Sequence, residues 1–362
     1  MRISNVNIYR ADLPLLDESY NWSDGKSVRV LDATVVELVT DSGIRGYGEC
    51  CPLGPNYLPS YANGLRTGLA ELRPTLIGLD PLDIEVVNRQ MDYNLKGHPY
   101  VKSPVDMALW DILGKFTGLP VCTLLGGRFG DYVPLYRPIS QGSPEEMVER
   151  VRHYRATRGY RRFQLKVGGS DEMLDAARIR AVRSALTDGE LLVADANTGW
   201  LPHQAVRVCQ SVSDLDVYIE QPCATMDQCR QVREASACGL PFILDESIDS
   251  LDSLLSMRGA ADCINIKISK VGGLTKARQM RDLAVHLGLA MVLEDCWGSD
   301  FATAAIAHLA HSTPEKHRLM SADFNTYHPV RTGHLAKPLT NDRGGMVAPG
   351  DRASVWSRTL PL

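Results

Sequence analysis

The chain has 362 residues, with 39 lysines and arginines against 43 aspartates and glutamates, for a formal charge of −4. A near-neutral balance spread along the chain gives no reason to expect nucleic acid or an anionic membrane as partner. A 44% hydrophobic fraction beside 23% charged residues excludes disordered and fibrous classes, and the length asks for two domains or a barrel with an addition.

The opening MRISNVNIYRADL alternates and lacks the apolar stretch of a secretion signal. No later apolar run approaches the roughly 18 residues of a membrane helix. Nine cysteines, an odd number with no CxxC pair, read as buried reduced thiols, so a cytoplasmic protein is expected. Val28–Thr40 is rich in β-branched residues, and Asp41-Ser42-Gly43 makes a hairpin turn into IRGYGEC. Leu65, Leu69, Leu72 and Leu76 form one helical stripe; Val105, Ala108, Leu109, Ile112 and Leu113 form another, closed by Gly114 and Gly118. Strands followed by helices predict an α+β capping domain over residues 1–125.

From about residue 130 the texture changes. Eight short apolar runs recur: VPLYRPIS, RRFQLKVGG, ELLVADANTG, DVYIEQP, PFILDES, CINIKISKVGG, AMVLEDCWG and LMSADFN. Helical stretches separate them, for example over Pro144–Ala156, Met173–Ala185 and Gly273–Leu287. Alternating β and α units predict an α/β fold: a (β/α)8 TIM-type barrel over residues 126–325, with 326–362 returning to the cap. A doubly wound sheet is the alternative, but the chain offers it no GxGxxG or P-loop spacing.

Buried parallel strands are normally apolar throughout. Five of these end in a charge, at Lys166, Asp195, Glu220, Asp245 and Lys267, spaced 22–29 residues apart. That spacing is one βα unit, which puts all five at the C-terminal strand ends where barrel enzymes carry their active sites. A single strand-end acid is commonly a helix cap. Three on consecutive strands crowd together and need a cation, and an all-oxygen set favours a hard divalent ion, Mg2+ first. A single strand-end lysine is commonly a solvated charge. Lys166 and Lys267, on strands two and six, instead face each other across the barrel. Such a pair beside a metal points to proton transfer, and a lysine acting as base needs its pKa lowered by burial and nearby cations. The chemistry this serves is removal of a proton α to a carboxylate, with the metal stabilising the enediolate.

At these residues the sequence resembles the enolase superfamily, in its muconate-lactonizing-enzyme-like subgroup. The carrying segments are DSGIRGYGEC, VDMALWDILGK, QLKVG, ADAN, EQP, LDES and INIKISKVGGL. The resemblance implies one Mg2+ ion on Asp195, Glu220 and Asp245, acid/base roles for Lys166 and Lys267, supporting polar groups at Asn197 and Glu246, and a homo-oligomer. One departure stands out: Gln164 occupies the place of the first of two strand-two lysines, which removes a cation that would help depress Lys166. The His–Asp dyad of mandelate racemase is also absent. The mouth loops SYNWSDGK, GECCPLGPNYLPSYA, VADANTGW, YIEQPC, EDCWGSD and SADFN resemble the cis-3-hydroxy-L-proline dehydratases of this superfamily. That likeness implies a carbon–oxygen lyase giving a cyclic imino acid. A racemase or epimerase of proline-type amino acids or betaines, using the same lysines, is the alternative. The implied partner is a small carboxylate, an amino acid whose ammonium needs an acid or a π face. Asp295 and Asp323 are the candidate acids, which also disfavour the purely anionic pocket of a lactonizing enzyme. Tyr20, Trp22, Tyr57 and Trp297 are candidate walls, although loop aromatics over a barrel are commonly plain packing.

Overall fold

The computed structural model describes residues 1–349 apart from 18, 170, 331–336 and 339–342. Ile3–Pro14 pairs antiparallel with Val30–Thr40, which pairs with Arg45–Cys50 across the predicted turn. Helices follow over Ala62–Leu76, Ile84–Asn94 and Pro99–Thr117. The stripe Leu65, Leu69, Leu72 and Leu76 is buried, as its spacing requires. The third helix runs through Gly114 and stops only at Gly118, in the left-handed conformation with φ 68°, so one glycine closes it rather than two. IRGYGEC needs its glycines for a packing reason. A Cβ on Gly46 would stand 2.2 Å from the Ala108 carbonyl oxygen, and one on Gly48 2.0 Å from that of Pro104.

The predicted barrel strands are Arg137–Ile139, Arg162–Lys166, Leu191–Asp195, Tyr218–Glu220, Phe242–Leu244, Cys263–Lys267, Ala290–Glu294 and Arg318–Ser321. They lie side by side in chain order, all parallel. A bridge between Leu135 and Ser321 joins the eighth strand to the start of the first, with Tyr136 N–H donating to the Ser321 carbonyl at 3.1 Å. The sheet therefore closes into a barrel, and the edges that a doubly wound sheet would leave open are absent.

Two buried carboxylates pin the cap to barrel helices. Glu49 accepts from Ser299 N–H (3.0 Å), the Ser299 hydroxyl (2.9 Å) and Ala302 N–H (3.0 Å), at the start of helix Asp300–His311. Asp106 accepts from the N–H and hydroxyl of Thr275 at the start of helix Leu274–His286. Each carboxylate meets the positive end of a helix dipole. In the C-terminal segment, expected to return to the cap, the Tyr327 carbonyl accepts from Leu16 N–H at 2.8 Å. Gly345–Val347 pairs instead with Val133–Pro134, just ahead of the first barrel strand. Most of 331–362 lies outside the described residues. All nine thiols are free, and no described helix is long and apolar enough to cross a membrane.

Candidate active site

Alternate residues of a strand share a face. On strand two this aims Gln164 and Lys166 the same way, and on strand six Asn265 and Lys267. Lys166 and Lys267 both line one cavity of about 40 Å³ at the barrel mouth, as the opposed-strand prediction requires. Both are almost wholly buried.

The three strand-end acids stand on adjacent strands, and each is engaged by donors of the chain itself. Asp195 takes the Lys166 ammonium at 2.5 Å and Asn197 N–H at 2.9 Å. Asp245 takes Lys267 on one oxygen and Lys270 on the other, the latter at 2.7 Å. The Tyr57 hydroxyl donates to Asp245 at 2.8 Å and accepts from Lys267 at 2.7 Å. Glu220 is held by two neutral amides, Gln164 at 2.8 Å and Asn265 at 3.1 Å. The residue that replaces a family lysine is thus a hydrogen-bond donor to the middle acid.

These contacts act against the lowering that a basic lysine needs. Burial alone would lower the lysine pKa values, but Asp195 outweighs it at Lys166, and Asp245 with Glu294 outweighs it at Lys267; both ammoniums are held above their ordinary range. Asp245 is correspondingly held low: burial would raise it, but Lys267 and Lys270 prevail. Glu220 has no ammonium partner and is pushed well above the usual carboxylate range, by burial first and then by Asp195 and Asp245.

With lysines on the acids, no three His, Cys, Asp or Glu side chains among the described residues are grouped to hold a metal as they stand. The donor set still fits a hard cation. Burial raises the proton affinity of Asp195 and Glu220, and the neighbouring acids add to it, Asp245 at Asp195 and both Asp195 and Asp245 at Glu220. These two therefore carry negative charge that a cation would offset. Close by, Asn197 amide donates to Glu246 at 3.1 Å, while Asn197 Oδ1 and Glu246 Oε2 are buried without a hydrogen-bond partner. Burial, and then Asp245, lifts Glu246 to about 8.

The aromatic candidates reach the cavity wall together. Tyr20 stacks on Trp22 at 5.7 Å and meets Trp297 edge-on at 4.9 Å, and Trp297 stacks on Phe324 at 5.4 Å. Among the described residues the buried indole N–H groups of Trp22 and Trp297 have no hydrogen-bond partner. The two candidate acids for an ammonium fare less well. Asp295 lines the cavity, but it is saturated by Ser269 N–H at 3.1 Å, the Ser269 hydroxyl and Cys296 N–H at 2.7 Å. Asp323 does not line it: Ala322 and Phe324 do, while Asp323 accepts from Asn325 N–H at 2.7 Å in a local turn.

The sequence reading missed Glu294. It ends strand seven in register with Lys267, lies 3.0 Å from that ammonium, and accepts from Asn265 at 2.6 Å and from the Tyr136 hydroxyl. In AMVLED the last acid was taken and the one before it passed over; alignment of strand ends would have selected Glu294.

Two family models match: "Enolase C-terminal domain-like" over residues 146–353, and "Mandelate racemase / muconate lactonizing enzyme, N-terminal domain" over 26–126. A cis-3-hydroxy-L-proline dehydratase of Roseibium aggregatum is 54% identical over 345 residues, covering 95% of this chain and 93% of its own. An N-succinyl-L-Arg/Lys racemase of Bacillus cereus is 31% identical, covering 86% and 85%. The crystal structure of an enolase-superfamily member from Roseovarius nubinhibens, complexed with magnesium, superposes with a TM-score of 0.92 at 41% identity, covering 99% of this chain and 96% of that one. The chain belongs to the enolase superfamily, in its mandelate racemase/muconate lactonizing enzyme group.

Proposed function

We propose that the protein is a magnesium-dependent lyase that dehydrates cis-3-hydroxy-L-proline. The observation that carries the reading is the opposed pair Lys166 and Lys267 on the walls of one cavity, each ammonium held by a strand-end acid. Asp195, Glu220 and Asp245 would hold the ion. When bound, one Mg2+ supplies positive charge for the substrate carboxylate and for the negative charge that spreads onto it as the α-proton leaves.

The stereochemistry suits two lysines. In the cis isomer the 3-hydroxyl shares a ring face with the carboxylate, so the α-hydrogen points to the other face. One lysine would take the α-proton as free amine, its pKa lowered once the ion draws the carboxylate that otherwise holds its ammonium. The C3–O bond then breaks, and the facing ammonium gives its proton to the departing oxygen. The products are water and an enamine acid, which tautomerises to a cyclic imino acid. Tyr57 ties Lys267 to Asp245 and so fixes the ammonium's direction. Trp22 and Trp297 offer unpartnered N–H groups to substrate oxygens. The dehydratase relative, alike over nearly the whole chain, supports the substrate. In this reading residues 1–125 cap a catalytic barrel over 126–325, and the enzyme works in the cytoplasm.

Epimerisation of a proline-type amino acid is the second reading, favoured by the same two faces and by a racemase among the relatives. Proton NMR in D2O with Mg2+ separates them. Dehydration erases the C3 carbinol signal, whereas epimerisation keeps the skeleton and washes deuterium into the α position. Neither change with any 3- or 4-hydroxyproline rejects both.

A further inference from the structure

A larger space adjoins the catalytic cavity, which is about 40 Å³. Tyr20, Pro138 and Tyr327 wall it on one side and a second cavity of about 680 Å³ on the other. The second cavity is lined by Arg137, from the first barrel strand, whose side chain is 5% exposed.

Arg137 is held unlike the scaffold arginines. Arg281 forks onto the backbone carbonyls of Ser312 and Leu125, and Arg178 onto that of Gly142 and the fully buried Asp175. Among the described residues Arg137 donates only to side chains: Asp17 at 2.9 Å, Tyr154 at 3.0 Å and Thr326 at 3.2 Å. Its plane lies over the Tyr327 ring at 3.8 Å and the Tyr154 ring at 4.2 Å, and its Nε has no partner. Among the described residues its one ion-pair partner is Asp17, which is 63% exposed and also accepts from the Tyr154 hydroxyl at 2.9 Å. A partner that returns to water loses little on release. What it leaves is a desolvated, ring-clamped guanidinium whose fork matches a carboxylate.

We propose that the larger cavity is an anion-binding antechamber, in which the substrate's carboxylate replaces that of Asp17 on Arg137 before passing to the barrel mouth. Tyr20 lines both cavities and so stands on the path between them. The inference rests on the reading of the substrate as an amino acid, and two measurements keep their failures apart.

The first uses acetate on the magnesium-loaded protein, read from the line width of its methyl resonance. Asp17→Asn should bind acetate about tenfold more tightly than wild type, and Arg137→Met added to it should cancel the gain. The second is turnover of cis-3-hydroxy-L-proline: Arg137→Met should raise KM about tenfold, with the loss falling on KM rather than kcat. A gain absent from Asp17→Asn, or one that survives without Arg137, overturns the antechamber, as does a loss confined to kcat. If wild type turns over no hydroxyproline while the acetate gain depends on Arg137, the substrate reading fails and the anion site stands. Should Arg137→Met not fold, Arg137→Lys keeps the charge, loses the fork, and should cancel most of the same gain.

Discussion

At the scale of single residues, the site is a competition for carboxylate oxygens. Asp195 and Asp245 are about 1% exposed and carry lysines in this arrangement, and any divalent ion must draw the same oxygens. Lys166→Met leaves Asp195 buried without its cation, so the variant should lose stability in chelator and recover it with Mg2+. Its thermal midpoint should rise more on adding Mg2+ than that of wild type; an equal or smaller rise means that Lys166 and the ion do not share Asp195. Activity of the same variant should fall about a thousandfold, as expected of a lost acid or base. Tyr57 plays a smaller part. Tyr57→Phe removes one hydroxyl from between Lys267 and Asp245 and should lower kcat about tenfold with little change in the thermal midpoint. An unchanged kcat would reduce Tyr57 to packing.

Elements are set against one another by buried acids at helix starts. Glu49 ties the third cap strand to helix Asp300–His311, and burial lifts its carboxyl from the ordinary 4.5 to about 7. The sign follows. A carboxyl raised on folding contributes most below pH 4.5, and that contribution is lost as pH climbs through 7. Glu49→Gln carries no such titration, so its unfolding free energy should improve relative to wild type as pH rises from 4.5 to 7. Urea unfolding at both pH values reads the difference; a constant gap means Glu49 does not titrate in this window. The clamp was not legible in the sequence, because Glu49 and Ser299 lie 250 residues apart. The glycines of IRGYGEC were read as part of a turn and a motif; their close approach to the Pro99–Thr117 helix was not visible either.

For the whole molecule, acid sensitivity should come from buried histidines. His308 accepts from Cys122 N–H at 3.2 Å, and burial depresses its pKa from 6.5 to about 3; His311 falls to about 4. A base depressed on folding stabilises above its unfolded pKa, and that stability drains as pH falls from 6.5 toward 3. His308→Gln, which keeps an acceptor, should lose less stability than wild type between pH 6.5 and 4. An identical slope would place the acid sensitivity elsewhere.

The barrel itself was legible, because eight apolar runs each ended at a turn and five of them ended in a charge that a buried strand does not otherwise tolerate. Those charges located the mouth. What stayed hidden were side chains whose role depends on a partner from another strand. Gln164 and Asn265 look like interruptions in an apolar run until both are seen to hold Glu220. Asp295 and Asp323 were candidate partners for a substrate ammonium, yet Ser269 and Cys296 take up the oxygens of Asp295, and Asn325 N–H takes one oxygen of Asp323. Tyr20, Trp22, Tyr57 and Trp297 did meet at the wall of one cavity.

The central claim is that two lysines on opposite walls work on the two faces of one α-carbon. Its most direct measurement is proton NMR of cis-3-hydroxy-L-proline in D2O with Mg2+, run on wild type and on Lys166→Met and Lys267→Met. Wild type should erase the C3 carbinol signal as the imino acid appears, and neither variant should. At most one variant, the one that keeps the base, should still exchange the α-proton. A C3 signal that persists with wild type, or that vanishes in either lysine variant at the wild-type rate, contradicts the account.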